Sequence, residues 1–242
     1  MSVSCDKAIP KRALVLVGKA PTAGIAKTRL SPPLSLEQAA RLYRGFLKDI
    51  VAMALGVGCE RVSLVYPPGP GAEQELAALL PLGVHLHAQE GRGLGAALAD
   101  AFGSHLAEGF ERVVLIGSDN PTLPPGIVRA AFGGLDDHDL VIGPSADGGY
   151  YLMGMHHPHL GIFKDVTWST EVVYQETLER AADLRLSVQA LPEWYDVDTL
   201  ADLMRLRDDL ATLPPSTAPA TRSALAEIML HAPERTRLRR AC

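Results

Sequence analysis

One aspartate stands where a buried strand is expected to end. Residues 112–116 form a short, β-branched apolar run, and Gly117-Ser118-Asp119-Asn120-Pro121 follows at once with residues that favour a turn. Ligands of open α/β sheets bind at the carboxyl ends of the strands. Asp119 at that place can hold a divalent cation, and the cation can hold phosphate groups. Alternatively, Asp119 caps a helix that begins near Pro124.

A second strand end carries a loop of small residues and cations. The predicted strand 13–17 runs into residues 18–30, which contain Gly18, Lys19, Gly24, Lys27 and Arg29. Exposed backbone N–H groups with Lys and Arg side chains make a phosphate cradle. The loop is neither a Walker A motif nor a dinucleotide-binding glycine turn. The phosphate interpretation is favoured over a loop of solvated cations, because two such loops end neighbouring strands of one predicted sheet.

A third glycine-rich turn precedes the helix predicted from Gly95 to Ala107. It spans residues 89–95 and contains Gln89, Gly91, Leu94 and Gly95. Glycines allow a flat nucleobase to approach the backbone closely, so this turn is a candidate part of a nucleotide site. Glycine turns before helices are also common without any ligand, and both interpretations stay open.

The turn Asp147-Gly148-Gly149-Tyr150 lies between strands predicted at 140–143 and 150–155. Asp147 can act as an acceptor-binding group or a general base, with Gly148, Gly149 and Tyr150 beside it. A tight Asp-Gly-Gly turn also has an ordinary explanation as a hairpin. The connection is too short for a helical crossover, so a simple parallel pair is not expected here.

A cluster of aspartates comes just before a helix predicted to begin at Thr199. Thr199 or Asp198 can be its N-cap, and Asp202 lies in the first turn, where the helix dipole favours a carboxylate. Helix capping explains part of the sequence Asp196-Val197-Asp198-Thr199 but gives no role to one of its carboxylates. A second aspartate that meets Asp119 would complete an oxygen-ligand site suited to Mg²⁺ or Mn²⁺.

All these residues need a scaffold that brings several strand ends together. Apolar strands and amphipathic helices alternate along the first half of the chain, with strands at 13–17, 61–66, 84–87 and 112–116 and helices from 35, 73 and 95. This alternation predicts an α/β fold with a mixed, mostly parallel sheet and helices on both faces. A helix from 170 and a strand at 186–191 are predicted in the second half.

Composition excludes several classes of protein. The chain of 242 residues has a formal net charge of −5, so no basic surface indicates nucleic acid binding. Its three widely spaced cysteines indicate neither a disulfide framework nor a zinc site. No signal segment and no long apolar stretch occur, so we expect a soluble cytoplasmic protein that binds no membrane.

Four motifs in order carry a resemblance to a known family. They are Lys27-Thr28-Arg29-Leu30, the Gly-Ser-Asp-x-Pro turn around Asp119, the run from Asp147 to Leu152, and the Asp-x-Asp-Thr sequence ending at Thr199. Over residues 13–210 the chain resembles the bacterial GT-A-like family labelled radical-SAM/selenodomain-associated transferase. It is similar, more distantly, to phospholactate guanylyltransferases and molybdenum-cofactor nucleotidyltransferases. Arg92 departs from the relatives, which often carry an acidic residue there.

The resemblance implies a nucleotide-diphospho-sugar transferase fold, GT-A and Rossmann-like, for a domain over residues 1–212. Asp119 would be the metal-binding aspartate and Asp198 the second ligand of Mg²⁺ or Mn²⁺. From their own chemistry, Asp119, Asp147, Lys27 and Arg29 are the candidate catalytic residues, and Asp147 to Tyr150 are candidates for binding the acceptor. The donor nucleotide and its phosphates would lie against Gly18, Lys19, Gly24, Lys27, Arg29, Gln89, Gly91, Leu94, Gly95 and Ser118.

The chain beyond Leu210 lies outside the resemblance. Residues 213–220 are rich in proline and predict a linker. Residues 221–242 predict a helical tail, whose helix is a candidate contact in a homo-oligomer.

Three functions agree with these motifs. A glycosyltransferase would move a sugar from a nucleoside-diphosphate sugar to a small acceptor, with Asp147 as the base of an inverting reaction. A nucleotidyltransferase would join the nucleotide of a triphosphate to a phosphorylated small molecule and release pyrophosphate. A nucleotide-binding protein without catalysis is the third, although the pair Asp119 and Asp198 argues against an idle site. The family label favours glycosyl transfer.

Overall fold

Strands and helices alternate along the first half of the chain, as the hydrophobic pattern predicted. The computed structural model describes residues 10–230. The first-half elements are β1 (Arg12–Val17), α1 (Leu36–Leu55), β2 (Arg61–Tyr66), α2 (Ala72–Leu79), β3 (Val84–Ala88), α3 (Leu94–Ala107) and β4 (Arg112–Gly117). Each predicted element of this half is present, with its ends displaced by only one or two residues.

The second half is less regular. Its elements are α4 (Pro125–Gly134), β5 (Leu140–Pro144), β6 (Tyr150–Met155), α5 (Val173–Asp183), β7 (Val188–Ala190), α6 (Leu200–Thr212) and α7 (Pro219–Leu230). Two short 3₁₀ helices lie at Thr28–Leu30 and Leu160–Phe163. The helix predicted from Thr170 begins at Val173 instead, because the Thr170 hydroxyl donates a hydrogen bond to the Thr167 carbonyl and holds a turn there.

The sheet is mixed and mostly parallel, which confirms the predicted fold class. Its strand order is β3-β2-β1-β4-β6-β5-β7. Only β6 is antiparallel to its neighbours β4 and β5, so β5 and β6 form the hairpin-like pair that their short connection predicted. The order reverses between β1 and β4, which is the place where open α/β sheets bind ligands.

Helices cover both faces of the sheet, again as predicted. Alternate residues of β1 point to opposite faces, with Leu14 and Leu16 in one hydrophobic cluster and Ala13 and Val15 in the other. Buried residues of α1, α2, α4, α6 and α7 belong to the first cluster, and those of α3 and α5 to the second. The sheet is therefore buried between two layers, which fixes its strand ends as a rigid platform.

Helix α1 begins with the predicted capping box. Ser35 Oγ accepts a hydrogen bond from the Gln38 backbone N–H, and the Gln38 side chain accepts one from the Ser35 N–H. At 20 residues α1 carries charged side chains along its outer face. Within residues 10–230, no helix combines the length and the apolar character needed to cross a membrane.

Helix α7 packs on α1. The Asp49 carboxylate of α1 accepts hydrogen bonds from the backbone N–H groups of Ala220 (3.0 Å) and Thr221 (2.7 Å) at the start of α7. Gly45 permits this approach, since a Cβ there would lie 3.0 Å from the Ala220 carbonyl oxygen. The helix begins at 219 rather than 221, because proline suits the first position of a helix. The predicted tail beyond residue 230 lies outside the described residues, and the oligomer contact stays a prediction.

Candidate functional site

A cavity of about 750 Å³ opens at the carboxyl ends of β1, β2 and β4. The predicted site residues that line it are Gly18, Lys19, Lys27, Arg29, Gln89, Leu94, Ser118, Asp119, Asp147, Gly149, Tyr150 and Asp198. Gly24, Gly91, Gly95 and Gly148 are not among its lining residues. The topology thus brings five separate segments of the sequence to one place.

Lys27 lies at the centre of the site, between two aspartates. Its Nζ is 2.9 Å from Asp119 Oδ1 and 2.8 Å from Asp198 Oδ1. The Lys27 side chain is only 2% exposed, whereas those of Asp119 and Asp198 are 28% and 36% exposed. Both carboxylates therefore remain accessible from the cavity, while the ammonium group is enclosed behind them.

The three charges stabilise one another. Burial alone would lower the pKa of Lys27, but the charges of Asp119 and Asp198 outweigh burial and raise this pKa above its ordinary value. Burial would raise the pKa of Asp198, but the nearby Lys27 ammonium lowers this pKa below its usual range. At neutral pH the Lys27 ammonium and the Asp198 carboxylate are therefore both charged.

The backbone around Lys27 is held from behind by α1. Lys27 has a φ of 53°, and its Nζ lies 5.9 Å from the ring centroids of both Tyr43 and Phe46. The buried Tyr43 hydroxyl is 2.7 Å from Ser118 Oγ and accepts a hydrogen bond from the Lys19 backbone N–H. Helix α1 thus ties the loop after β1 to the turn after β4.

The two aspartates have the chemistry of a small metal site. Asp119 Oδ1 is buried and accepts no well-directed hydrogen bond, in spite of its close ion pair with Lys27. Among residues 10–230 there is no group of three or more His, Cys, Asp or Glu side chains arranged to hold a metal ion. Two carboxylates suit Mg²⁺ or Mn²⁺ when phosphate oxygens and water complete the coordination, as is usual for nucleotide-bound Mg²⁺.

Other cations of the same loop remain free. Lys19 and Arg29 line the cavity, and neither side chain forms an ion pair with any residue in the described range. Arg29 is exposed and Lys19 is half-buried. These two side chains can contact an anion without first leaving another partner.

Asp196 is a site residue that the sequence did not single out. Its carboxylate accepts hydrogen bonds from Asn120 Nδ2 (3.2 Å) and Ser145 Oγ (3.3 Å) beside the cavity. Burial, followed by the charge of Asp119, raises the pKa of Asp196 to about 7. Spacing alone could not distinguish Asp196 from Asp198, which are two positions apart.

Thr199 is the N-cap of α6, and Asp202 completes its capping box. The Asp202 carboxylate accepts a hydrogen bond from the Thr199 backbone N–H at 2.7 Å, and Thr199 Oγ1 accepts one from the Asp202 N–H. The side chains of Asp196 and Asp198 therefore do not cap the helix, and both line the cavity.

The turn at Asp147 forms the opposite wall of the cavity. Asp147 is exposed, and its Oδ1 accepts a hydrogen bond from the Gly149 N–H at 3.1 Å. Gly148 has a φ of 87° and lies against the Glu171 carbonyl, where no Cβ fits. The Gly148 carbonyl accepts a hydrogen bond from the Tyr174 N–H at 2.9 Å. Residues 171–174 thus hold the turn in place.

Trp168 is a second lining residue that the sequence did not reveal. Its indole fills the space beside Gly95, where a Cβ would lie 2.6 Å from Cε2. It packs edge-on against Tyr150, with ring centroids 6.5 Å apart, and tilted against Phe163 at 6.3 Å. Residues 167–172 have no periodic pattern, so no sequence signal placed this side chain in the cavity.

Comparison with known families places the chain in a group of bacterial proteins. The family model described as "Uncharacterized protein conserved in bacteria (DUF2064)" matches residues 50–170. The 2-phospho-L-lactate guanylyltransferase of Methanothermobacter thermautotrophicus is 32% identical over 187 residues, covering 74% of this chain and 77% of that protein.

Solved structures with the same fold include nucleotide-dependent enzymes. A Desulfovibrio desulfuricans protein, provisionally described as a nucleotide-diphospho-sugar transferase, has a TM-score of 0.80 and 34% identity over 92% of this chain and 99% of that one. Rv0371c of Mycobacterium tuberculosis, solved in complex with manganese, has a TM-score of 0.52 and 18% identity over 83% of this chain and 100% of that one. The first match confirms the nucleotide-diphospho-sugar transferase fold that the motifs implied; the second shows the fold alone.

Proposed function

The chain belongs to the DUF2064 family, and from that premise we propose that it is a nucleotide-dependent transferase that moves a sugar from a nucleoside-diphosphate sugar to a small acceptor. One observation carries the proposal. Asp119 and Asp198, from distant parts of the chain, converge on one cation in the wall of a cavity, and a third carboxylate, Asp147, lines the same cavity.

The donor phosphates bind beside Asp119, against the loop that follows β1. The free side chains of Lys19 and Arg29 contact phosphate oxygens, and the backbone of this loop contributes N–H groups. Asp119 and Asp198 would hold Mg²⁺ or Mn²⁺, and the ion would supply positive charge to balance the leaving diphosphate. Lys27 joins the two carboxylates, and its ammonium would have to release them to the metal ion.

The nucleoside lies over the ends of β2 and β3. Gln89, Gly93 and Leu94 line that side of the cavity. Gly93 has a φ of 87°, a conformation that favours glycine and leaves the backbone open to close approach by a flat base.

The acceptor binds on the side of Asp147. Asp147 Oδ1 accepts a hydrogen bond from the Gly149 N–H, and Asp147 Oδ2 accepts none from the described residues. That free oxygen removes the proton of the acceptor hydroxyl as it attacks the anomeric carbon, and the diphosphate leaves with the bonding electrons. This sequence gives inversion of configuration.

A second candidate function is nucleotidyl transfer. The 32% identity to a guanylyltransferase favours it, and so does the presence of two unpaired cations, which suit a triphosphate. In that reaction the acceptor attacks the α-phosphorus, and pyrophosphate leaves.

A thermal-shift panel separates the two functions. Nucleoside triphosphates and nucleotide sugars are each added with and without Mg²⁺ or Mn²⁺, since a ligand at 100 times its dissociation constant adds roughly 2.7 kcal/mol of stability. Metal-dependent stabilisation by a nucleotide sugar, with release of the diphosphate on prolonged incubation, supports sugar transfer. Stabilisation by a triphosphate alone moves the assignment to nucleotidyl transfer.

A further inference from the structure

Charge is distributed unevenly around the cavity. The cations that line it within residues 10–230 are Lys19, Lys27 and Arg29, and all three belong to the loop after β1. The opposite side, formed by the β5–β6 turn and residues 168–173, contributes carboxylates from Asp147 and Glu171 and no cation. Under the proposed function, the first side holds the donor phosphates and the second side holds the acceptor.

A fixed aromatic surface lies where the acceptor side meets the start of α3. The Trp168 indole lines the cavity and is wedged between Tyr150, Phe163 and the bare backbone of Gly95. The Tyr150 hydroxyl is buried and has no hydrogen-bond partner in the described part of the chain. An aromatic face beside hydrogen-bonding groups is suited to a molecule with one apolar face and several hydroxyls.

We propose that the acceptor is an uncharged or cationic polyhydroxy compound, such as a sugar, that packs its apolar face on Trp168 and is not a phosphorylated acid. This inference rests on the proposed transferase function and deepens it. Asp147 and Glu171 repel a phosphate or carboxylate at this place. They accept hydrogen bonds from hydroxyl groups and attract an ammonium group, which also gains from the face of the indole.

This assignment differs from what the similarity to a phospholactate guanylyltransferase suggests. The substrate named for that relative carries a phosphate and a carboxylate. A site for such a molecule needs cations on the acceptor side, because each buried anion requires a partner. In this chain the described residues of that side include none.

Tryptophan fluorescence can test the acceptor class without any donor or metal. The protein has two tryptophans, and a Trp194→Phe variant leaves Trp168 as the reporter in the cavity. The probes are methyl β-glucoside, glucosamine and 3-phosphoglycerate. We expect the first two to change Trp168 fluorescence at concentrations at least about tenfold below the third. In a Glu171→Lys variant this order should reverse.

Two results would overturn the proposal. In the first, 3-phosphoglycerate binds as tightly as the sugars, and this binding persists in a variant in which Lys19 and Arg29 are both replaced by Met. Loss of that binding in the double variant assigns the anion to the donor side and agrees with the proposal. The other is the absence of any response to both sugars. The fluorescence experiment contains no nucleotide and no metal. A negative result in it therefore contradicts the proposed acceptor, whereas a negative result in the thermal-shift panel contradicts the proposed donor site.

Discussion

Lys27 Nζ lies 2.8 Å from Asp198 Oδ1, although 171 positions separate the two residues in the chain. The same ammonium contacts Asp119 on the intervening strand end. One cation thus joins the first strand-end loop, the fourth strand end and the segment before α6. Its ammonium lies between the two carboxylates to which a divalent ion would be drawn.

This arrangement predicts that Lys27 competes with metal. Replacing Lys27 by Met should increase the Mn²⁺ affinity of the nucleotide-free protein at least about tenfold, because the ion no longer has to displace an ammonium from the two carboxylates. Isothermal titration with Mn²⁺ measures this directly. A Lys19→Met variant removes a cation that forms no ion pair with the described residues, so its Mn²⁺ affinity should increase much less. Equal gains in both variants would contradict competition at the pair.

Loss of Lys27 should also destabilise the metal-free fold. Two neighbouring carboxylates are left without their counter-ion, at a cost of about 1–3 kcal/mol, less than for a fully buried pair because both keep some exposure. Denaturant unfolding in EDTA measures the loss, and added Mn²⁺ should recover part of it. If Mn²⁺ leaves the variant's stability unchanged, the carboxylates do not bind the ion.

Asp119 should be essential for turnover but not for folding. Asp119→Asn keeps the shape of the side chain and removes its charge, so we expect at least a 100-fold decrease, roughly the loss seen when a fixed electrostatic contact to a transition state is removed. The rate of diphosphate release from the donor found in the thermal-shift panel is the measurement. Asp137→Asn, at an exposed position, serves as the control and should keep full activity.

Gly148→Ala should damage the acceptor side. The position has a φ of 87° and lies against the Glu171 carbonyl, so a methyl group there costs roughly 1–3 kcal/mol and displaces Asp147. Gly126→Ala, where nothing lies within 4 Å of the new Cβ, should change stability by no more than about 0.5 kcal/mol. Thermal unfolding compares the two. Similar melting temperatures would show that the turn adapts freely.

His105 should make the fold sensitive to acid. Only 1% of its surface is exposed, its Nδ1 donates to the Ala101 carbonyl oxygen at 2.7 Å, and its Nε2 lies 2.8 Å from Ser63 Oγ. Burial lowers the pKa of His105 below its ordinary value of 6.5. Below pH 6.5 the unfolded chain therefore binds a proton that the folded protein excludes, and stability falls as the pH falls.

The check is the melting temperature between about pH 6.5 and pH 5, where the histidine of the unfolded chain becomes charged. A His105→Gln variant should lose less stability over this interval than the unaltered protein. His85→Gln, at an exposed position of β3, should keep the full acid dependence. The same slope in all three proteins would exclude His105 as its source.

Much of the scaffold was predictable because it depends on local signals. Apolar runs and a capping box at Ser35 defined the alternating elements, and strand-end rules brought Asp119 and Lys27 to one edge of the sheet. The pairing of Lys27 with two aspartates was not predictable, since a loop cation can bind phosphate or protein equally well. Trp168 and Asp196 were missed because their positions depend on packing between segments distant in sequence.

The contact between Asp49 and the start of α7 has a consequence for how the chain reaches its native state. The amide groups at the start of this helix are satisfied by a carboxylate 171 positions earlier, and residues of α7 complete the same hydrophobic cluster as α1. Contacts so distant in sequence form late, because a long loop must close first. A chain still being synthesised on the ribosome thus carries an uncovered strip of α1 until the residues of α7 emerge.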